Sequence, residues 1–501
     1  MRTALLFFAF ASTSLAQETF DRTVRPAPLE RGEFRMPEFQ SGQLSNGVDV
    51  LVATDRERPL VNVSIHFDVG SYADPVGQEG LASATVDMLN EGAGDYDALS
   101  LSTAFRRLAT TFASGSDQDT AKLSINTLTA NLEPSLALLA TVLLEPTFPD
   151  EDWDRLRKQR IQSLQEARAE PRKMAARAGS RLLYGDDYRG RLSSEASYLN
   201  MEVEDMALWK QGHLVPNRAV ILVSGDTDLD TILPMLEAHF AEEPSWLCRV
   251  ICREEPAWSG HSDIPLPTPE GIQPDETRVY LVDKPGAAQS VIRMNRFVRH
   301  RLDEDYTALM LGNHVFGGMF MARLNMNLRE DKGYTYGARS YLSHGHGPSR
   351  WILSTSVKSD VTRPALEEIL LEIGGLAQEE LGEQPEPRPI TEDDVAYFSS
   401  NLVNGYPSRF EDASYVLTSQ AGIRLYGLPA EWLSGFMDRV EAVDAISAQE
   451  AFVADVASQP WNIIIVGDLA TIRESIEGLG YPVVELDADG NLVSAEESRE
   501  D

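Results

Sequence analysis

Arg329 and Tyr336 stand seven residues apart in LGNHVFGGMFMARLNMNLREDKGYTYGARSYL, residues 311–342. A guanidinium and a phenol both donate hydrogen bonds. Phe320, Leu324 and Leu328 recur every fourth residue and predict a helix that Gly333 ends, after which YTYGARSY alternates as a strand. Arg329 then lies in the last helical turn and Tyr336 in the strand beyond, on the face it shares with Tyr334, so both reach the space past the helix end. The same spacing suits a purely structural pair, a cation at a helix C-terminus and a half-buried strand tyrosine. Gly317 and Gly318, upstream, read either as a flexible loop that admits a ligand or as a helix break.

A second stretch, GLASATVDMLNEGA from Gly80 to Ala93, has the spacing of a metal-binding helix without metal-binding residues. Leu81, Thr85, Met88 and Leu89 form an inward stripe, and Ser83, Val86 and Asp87 fall at i, i+3 and i+4 on the adjoining face. One carboxylate cannot hold a metal there. Cys248 and Cys252 are the only cysteines and make no structural zinc site. His344 and His346, in SHGHGPS, are expected at a hairpin tip. HExxH, GxSxG and GxxxxGK[ST] do not occur, so nothing supports serine-hydrolase or nucleotide-hydrolase chemistry.

The elements that position these residues come in two sets. EEPAWSGHSDIPLPTPEGIQPDE is rich in Pro, Gly and acid and reads as a linker. On either side of it, AVILVSGDTDLDTILPMLEAHF and WNIIIVGDLATIRESIEGLG each give a buried strand, a Gly-Asp turn and a helix. Gly225 and Gly467 are 242 residues apart, as are the LYG runs at Leu183 and Leu425. One offset at two anchors argues for a duplicated domain. Strand pairs followed by helical runs at 148–182 and 361–381 predict an α+β protein of two homologous sandwich domains, each a mostly antiparallel sheet with helices on one face. The expected division is a signal peptide at 1–16, a first domain at 38–244, a linker at 245–275, a second domain at 276–485 and an acidic, mobile tail at 486–501, where DADGN reads as a turn.

The formal net charge of -34 disfavours nucleic acid, and no later run approaches the ~20 apolar residues of a membrane span. MRTALLFFAFASTSLAQ has the basic start, apolar run and small residues of a secretory signal, so a periplasmic or secreted location is expected.

GSYADPVGQEGLASATVDMLNEGA resembles the start of the insulinase-like (pitrilysin-type) zinc metallopeptidases, whose inverted HxxEH motif falls on Ser83, Val86 and Asp87. In that family two imidazoles one turn apart clamp the metal, a Glu activates water, and a third ligand follows some eighty residues on, here near Gln165 or Glu166. The match is lost at all three motif positions. The stretch around Leu328, Arg329, Gly333 and Tyr336 resembles the family's C-terminal domain, where the Arg and Tyr bind the scissile carbonyl, and Gly317 and Gly318 resemble its glycine-rich loop. The resemblance implies a chain similar to the zinc-lacking subunit of the mitochondrial processing peptidase. It would hold no metal itself, pair with a zinc-bearing homologous subunit and bind peptide as an added strand. A structural subunit, like the core proteins of respiratory complexes, and a self-contained peptide-binding module keep the same fold.

Overall fold

Alternation builds the centre of each half. In VNVSIHF, Val61, Val63, Ile65 and Phe67 are fully buried while Asn62, Ser64 and His66 turn to the other side of the strand. The computed structural model describes residues 34–241, 258–377 and 387–493, and the account below concerns the unit Met36–Asp501. The expected signal peptide and both cysteines lie outside the described residues.

The first sheet contains β1 (Gln40–Gln43), β2 (Asp49–Thr54), β3 (Leu60–Phe67), β6 (Thr111–Ser116), β7 (Ala121–Leu128) and β8 (Ala219–Gly225), in the order β1-β2-β8-β3-β7-β6. Only β2 and β8 pair in parallel. A small hairpin of β4 (Gly92–Ala93) and β5 (Tyr96–Asp97) stands apart. The second sheet contains β9 (Arg278–Asp283), β10 (Gln289–Val298), β11 (Thr335–Ser343), β12 (Ser349–Lys358), β13 (Asn462–Gly467) and β14 (Val483–Leu486), in the order β11-β12-β10-β13-β9-β14. The run β6-β7-β3-β8-β2 thus repeats as β11-β12-β10-β13-β9, with its single parallel pair at the same place. The protein is α+β, with one domain used twice. Each sheet has its own apolar core, with Ile65, Leu89, Leu139 and Val223 in the first and Ile292, Phe316, Leu353 and Ile463 in the second.

The second face of each sheet is also covered, and by a helix from the other half. Helix Pro171–Tyr184 lays Met174, Ala175 and Ala178 on Val282, Val291, Ile464 and Val466 of the second sheet. Helix Ala413–Leu425 lays Leu417 on Ala53, Val220 and Leu222 of the first. The repeated LYG runs mark the ends of these two crossing helices.

Three expectations change. The helix from Phe320 is not continuous: Met319 is extended, Arg323–Asn325 is α-helical, and His314–Gly318 and Met326–Asp331 are π-helical turns. Leu324 and Leu328 are buried, but Phe320 is 47% exposed, because the break at Met319 turns it off the core stripe. The first core reaches into the expected linker, since Trp258 is buried against Phe67 and Phe240 and donates through Nε1 to Leu214 O. The start of the tail is anchored, for Asp489 accepts from Arg168 and Arg177, and one negative charge fewer is left free than the composition of the tail implies.

Candidate functional site

The motif helix, Leu81–Met88, starts where Gly80 takes φ 102°, and Asp74 accepts from the backbone N–H groups of Gly80 and Ala82, both at 2.8 Å. Those bonds satisfy two of the free donors at the helix start. Burial pushes the Asp74 carboxyl up to about 7. Leu81, Thr85, Met88 and Leu89 are buried as expected, and so is Val86, which packs into the first core rather than lying on an open adjoining face. Ser83 and Asp87 do share a face, and a cation stands over them. Arg160, from helix Asp150–Ala169, donates through one nitrogen to Ser83 Oγ at 3.1 Å and to Asp87 Oδ2 at 2.5 Å. Burial raises the Asp87 carboxyl above its ordinary value, against the pull of Arg160.

A zinc ion does not fit this arrangement. Zinc needs three or four donors drawn from imidazole, thiolate and carboxylate, whereas the groups here are one hydroxyl and one carboxylate already neutralised by a guanidinium. Gln165 and Glu166, the third-ligand candidates, are exposed on the far side of their helix, where Glu166 accepts from Gln162. Among the described residues no three His, Cys, Asp or Glu side chains gather as a metal site. Sequence reasoning missed Arg160. Its only signal was a basic residue on the helix expected to carry the third ligand.

Ser83 opens on a cavity of about 410 Å³ that Asp117, Asp119, Arg189, His344 and Tyr426 also line. Arg189 binds both carboxylate oxygens of Asp119 at 2.7 Å, with both side chains buried. The SHGHG turn of the second half sits on this pair, and a Cβ at Gly345 would lie 2.4 Å from the Arg189 guanidinium. His344 hydrogen-bonds Tyr306 Oη at 2.8 Å and Ser349 Oγ at 3.1 Å, while His346 lies against the Tyr426 ring. The two histidines are therefore at a hairpin tip, each committed to a separate neighbour. Burial lowers His344 to about 4.

In the second half, the backbone N–H of Tyr334 donates to Leu328 O at 2.9 Å, which ties the start of β11 to the turn carrying Arg329. The Arg329 guanidinium rests 4.7 Å above the Phe320 ring, and its Nε lies 3.3 Å from Glu330. Tyr334 packs on the core, but Tyr336 is 91% exposed, so the two do not share a face. The cause is a β-bulge between Thr335 and Ala338, which breaks the alternation and turns Tyr336 outward. Gly317 is buried so tightly that a Cβ would come within 2.5 Å of Ser340 Oγ, and Gly318 ends the π-helical turn. Here Gly317 lets a helix end approach β11, while Gly318 lies against Asn313 and His314 of its own turn.

Residues 49–190 match the Insulinase (Peptidase family M16) domain, and residues 200–384 match the Peptidase M16 inactive domain. The chain belongs to the insulinase-like family. It is a member without the family's zinc motif. Its fold is similar to a peptidase M16 inactive domain from Pseudomonas fluorescens, at TM-score 0.73 and 21% identity over 86% of this chain and 98% of that one. It is similar to a protease from Helicobacter pylori, at TM-score 0.73 and 16% identity over 86% and 100%. A chain of Complex III2 from Candida albicans also has this fold, at TM-score 0.67 and 14% identity over 89% and 99%. The comparison with curated proteins found no match. Among the described residues of this insulinase-like chain, no helix is long and apolar enough to cross a membrane.

Proposed function

We propose that this chain is the zinc-lacking subunit of a two-chain insulinase-like peptidase, exported to the periplasm or beyond. In this reading Arg329 and Tyr336 bind the scissile carbonyl of a peptide held at the site of a zinc-bearing homologous subunit. The observation that carries it is the contrast in exposure: Tyr336 stands 91% free beside the Arg329 turn, while the motif helix is closed by Arg160. Two donors presented outward serve a carbonyl supplied from outside. Peptide adds as a strand to a sheet edge, of which β6 and β11 are two, and Gly317 and Gly318 shape the approach to β11.

The test is hydrolysis of a quenched peptide library by the mature protein, alone and mixed with a homologue from the same source that has an intact HxxEH. Turnover is expected only in the mixture, falling about 10²- to 10³-fold on Arg329→Ala. Zinc-dependent turnover by this chain alone would overturn the reading. A scaffold without catalytic part is the second reading, favoured by the Arg160 closure of the motif helix, and it predicts that Arg329→Ala changes neither assembly nor turnover.

A further inference from the structure

We infer that Asn325 and Thr335 are positioning residues that hold Arg329 and Tyr336 in one geometry, an inference that rests on the carbonyl-binding reading above. Asn325 is 3% exposed and uses both ends of its amide. Its Nδ2 donates to Phe320 O at 2.7 Å, and its Oδ1 accepts from the Ala338 N–H at 3.1 Å. One bond therefore fixes the residue whose ring supports the Arg329 guanidinium, and the other fixes the far end of the bulge that turns Tyr336 outward. Thr335 secures the near end. Its hydroxyl donates to Ser356 O at 2.8 Å and accepts from the Gly337 N–H at 3.0 Å, spanning Tyr336 on both sides. Thr355 Oγ1 lies 3.0 Å from the same hydroxyl and 3.1 Å from Gly337 O, which closes the network.

The arrangement is specific to these side-chain types. Only an amide offers a donor and an acceptor at this separation, so an ionised carboxylate at 325 would set an acceptor against the acceptor oxygen of Phe320. Only a hydroxyl at 335 can both give and take a bond while its β-branched body stays in the strand. A bulge without such a clamp keeps its strand but loses a single orientation for the residue at its crest.

The test uses the assembled pair with a quenched peptide, and Thr335→Val as the principal variant because it keeps shape and removes only the hydroxyl. Thr335→Val is expected to lower kcat about 10- to 100-fold with KM unchanged, and Thr335→Ser to restore it. In a Tyr336→Phe background Thr335→Val should add nothing, because it acts through the phenol. Asn325→Leu gives the same kcat loss if it folds, and hydrogen exchange at Gly337 and Ala338 reports the release of the bulge without reference to activity. If Arg329→Ala and Tyr336→Phe leave turnover unchanged, the carbonyl-binding reading fails and this inference with it. If those two variants are impaired but Thr335→Val matches the unaltered protein, or its loss adds in full to that of Tyr336→Phe, the carbonyl-binding reading stands and the positioning role is overturned.

Discussion

The two crossing helices occupy equivalent places and are held in different ways. Helix Pro171–Tyr184 sits dry on the second sheet: Gly179 comes so close that a Cβ would lie 2.6 Å from Asn295 Nδ2, and that nitrogen donates to Gly179 O at 3.0 Å. Asp489 then binds Arg168 and Arg177 across the joint. Helix Ala413–Leu425 meets the first sheet mainly through Leu417 and an exposed Arg424–Asp49 pair, between cavities of about 560 and 680 Å³. The difference lies in the outward positions of the strands. Asn62, Ser64 and His66 on β3, with Lys122, Ser124 and Asn126 on β7, line the cavities beside the first joint, whereas Val291, Ile464 and Val466 pack on the helix at the second. Duplication preserved topology and divided the packing, leaving one mainly apolar joint and one flanked by polar cavities.

The strongest challenge to that contrast is an unpaired charge at each joint. Ala178→Asp is expected to lower stability by about 3–5 kcal/mol in urea unfolding, because it sets a carboxylate among the apolar side chains of Val282, Val291 and Val466. Leu417→Asp should cost less than half as much, since the flanking cavities admit water. Equal losses would erase the distinction.

A smaller effect is expected from pH at the turn where the halves meet. His344 has its folded pKa lowered to about 4, first by burial and then by Arg301, so the neutral ring is favoured in the folded state. Its contribution is fully present above the ordinary value of 6.5 and is lost as pH falls towards 4, at up to about 1.4 kcal/mol per pH unit. His344→Gln should flatten the curve of unfolding midpoint against pH in that window. An unchanged slope would show that the turn opens before the ring titrates.

Asp489→Asn is expected to cost about 1–2 kcal/mol near neutral pH, discounted for the solvent that reaches this pair. Burial opposes ionisation of Asp489, but Arg168 and Arg177 outweigh it and hold the carboxyl below its usual range. The folded pKa is therefore the lower one, and the contribution is present above the ordinary carboxylate value and is lost as pH falls through the lowered folded value. The comparison to make is the loss on Asp489→Asn at pH 7 against progressively more acid pH, where it should shrink as the folded carboxyl takes up its proton. If the variant matches the parent at pH 7, this joint is held by its apolar contacts alone.

The smallest effect belongs to the motif helix. Arg160→Ala should cost no more than about 1 kcal/mol, because Asp87 is half-exposed and solvent takes over from the guanidinium. Added zinc should not raise the melting temperature of the parent or of this variant, as a ligand stabilises only what binds it. A zinc-dependent rise in either would show a metal site that Ser83 and Asp87 do not account for.

The repeat, the sheet strands and the loss of the zinc ligands were legible because they are local: period-2 alternation, a shared offset and residue chemistry at three motif positions need no partner. The discontinuous helix was not, since Leu324 and Leu328 keep a fourfold period that a π-helical turn interrupts without changing composition. Tyr336 was misread for a related reason. Alternation assigns it the face of Tyr334, and only hydrogen bonds from Thr335 and Asn325 create the bulge that reverses it.

By itself, then, the sequence determined two copies of an α+β unit, a motif helix without the residues of a zinc motif, and an Arg and a Tyr seven residues apart. Tertiary structure alone decided that Arg160 neutralises Asp87 across 73 residues, that Asp489 is held by Arg168 across 321, and that each half lends a helix to the sheet of the other. The physical reason is the range of the forces at work. Backbone periodicity and side-chain chemistry act within a few residues, while desolvation and ion pairing choose among surfaces that only the folded chain brings together.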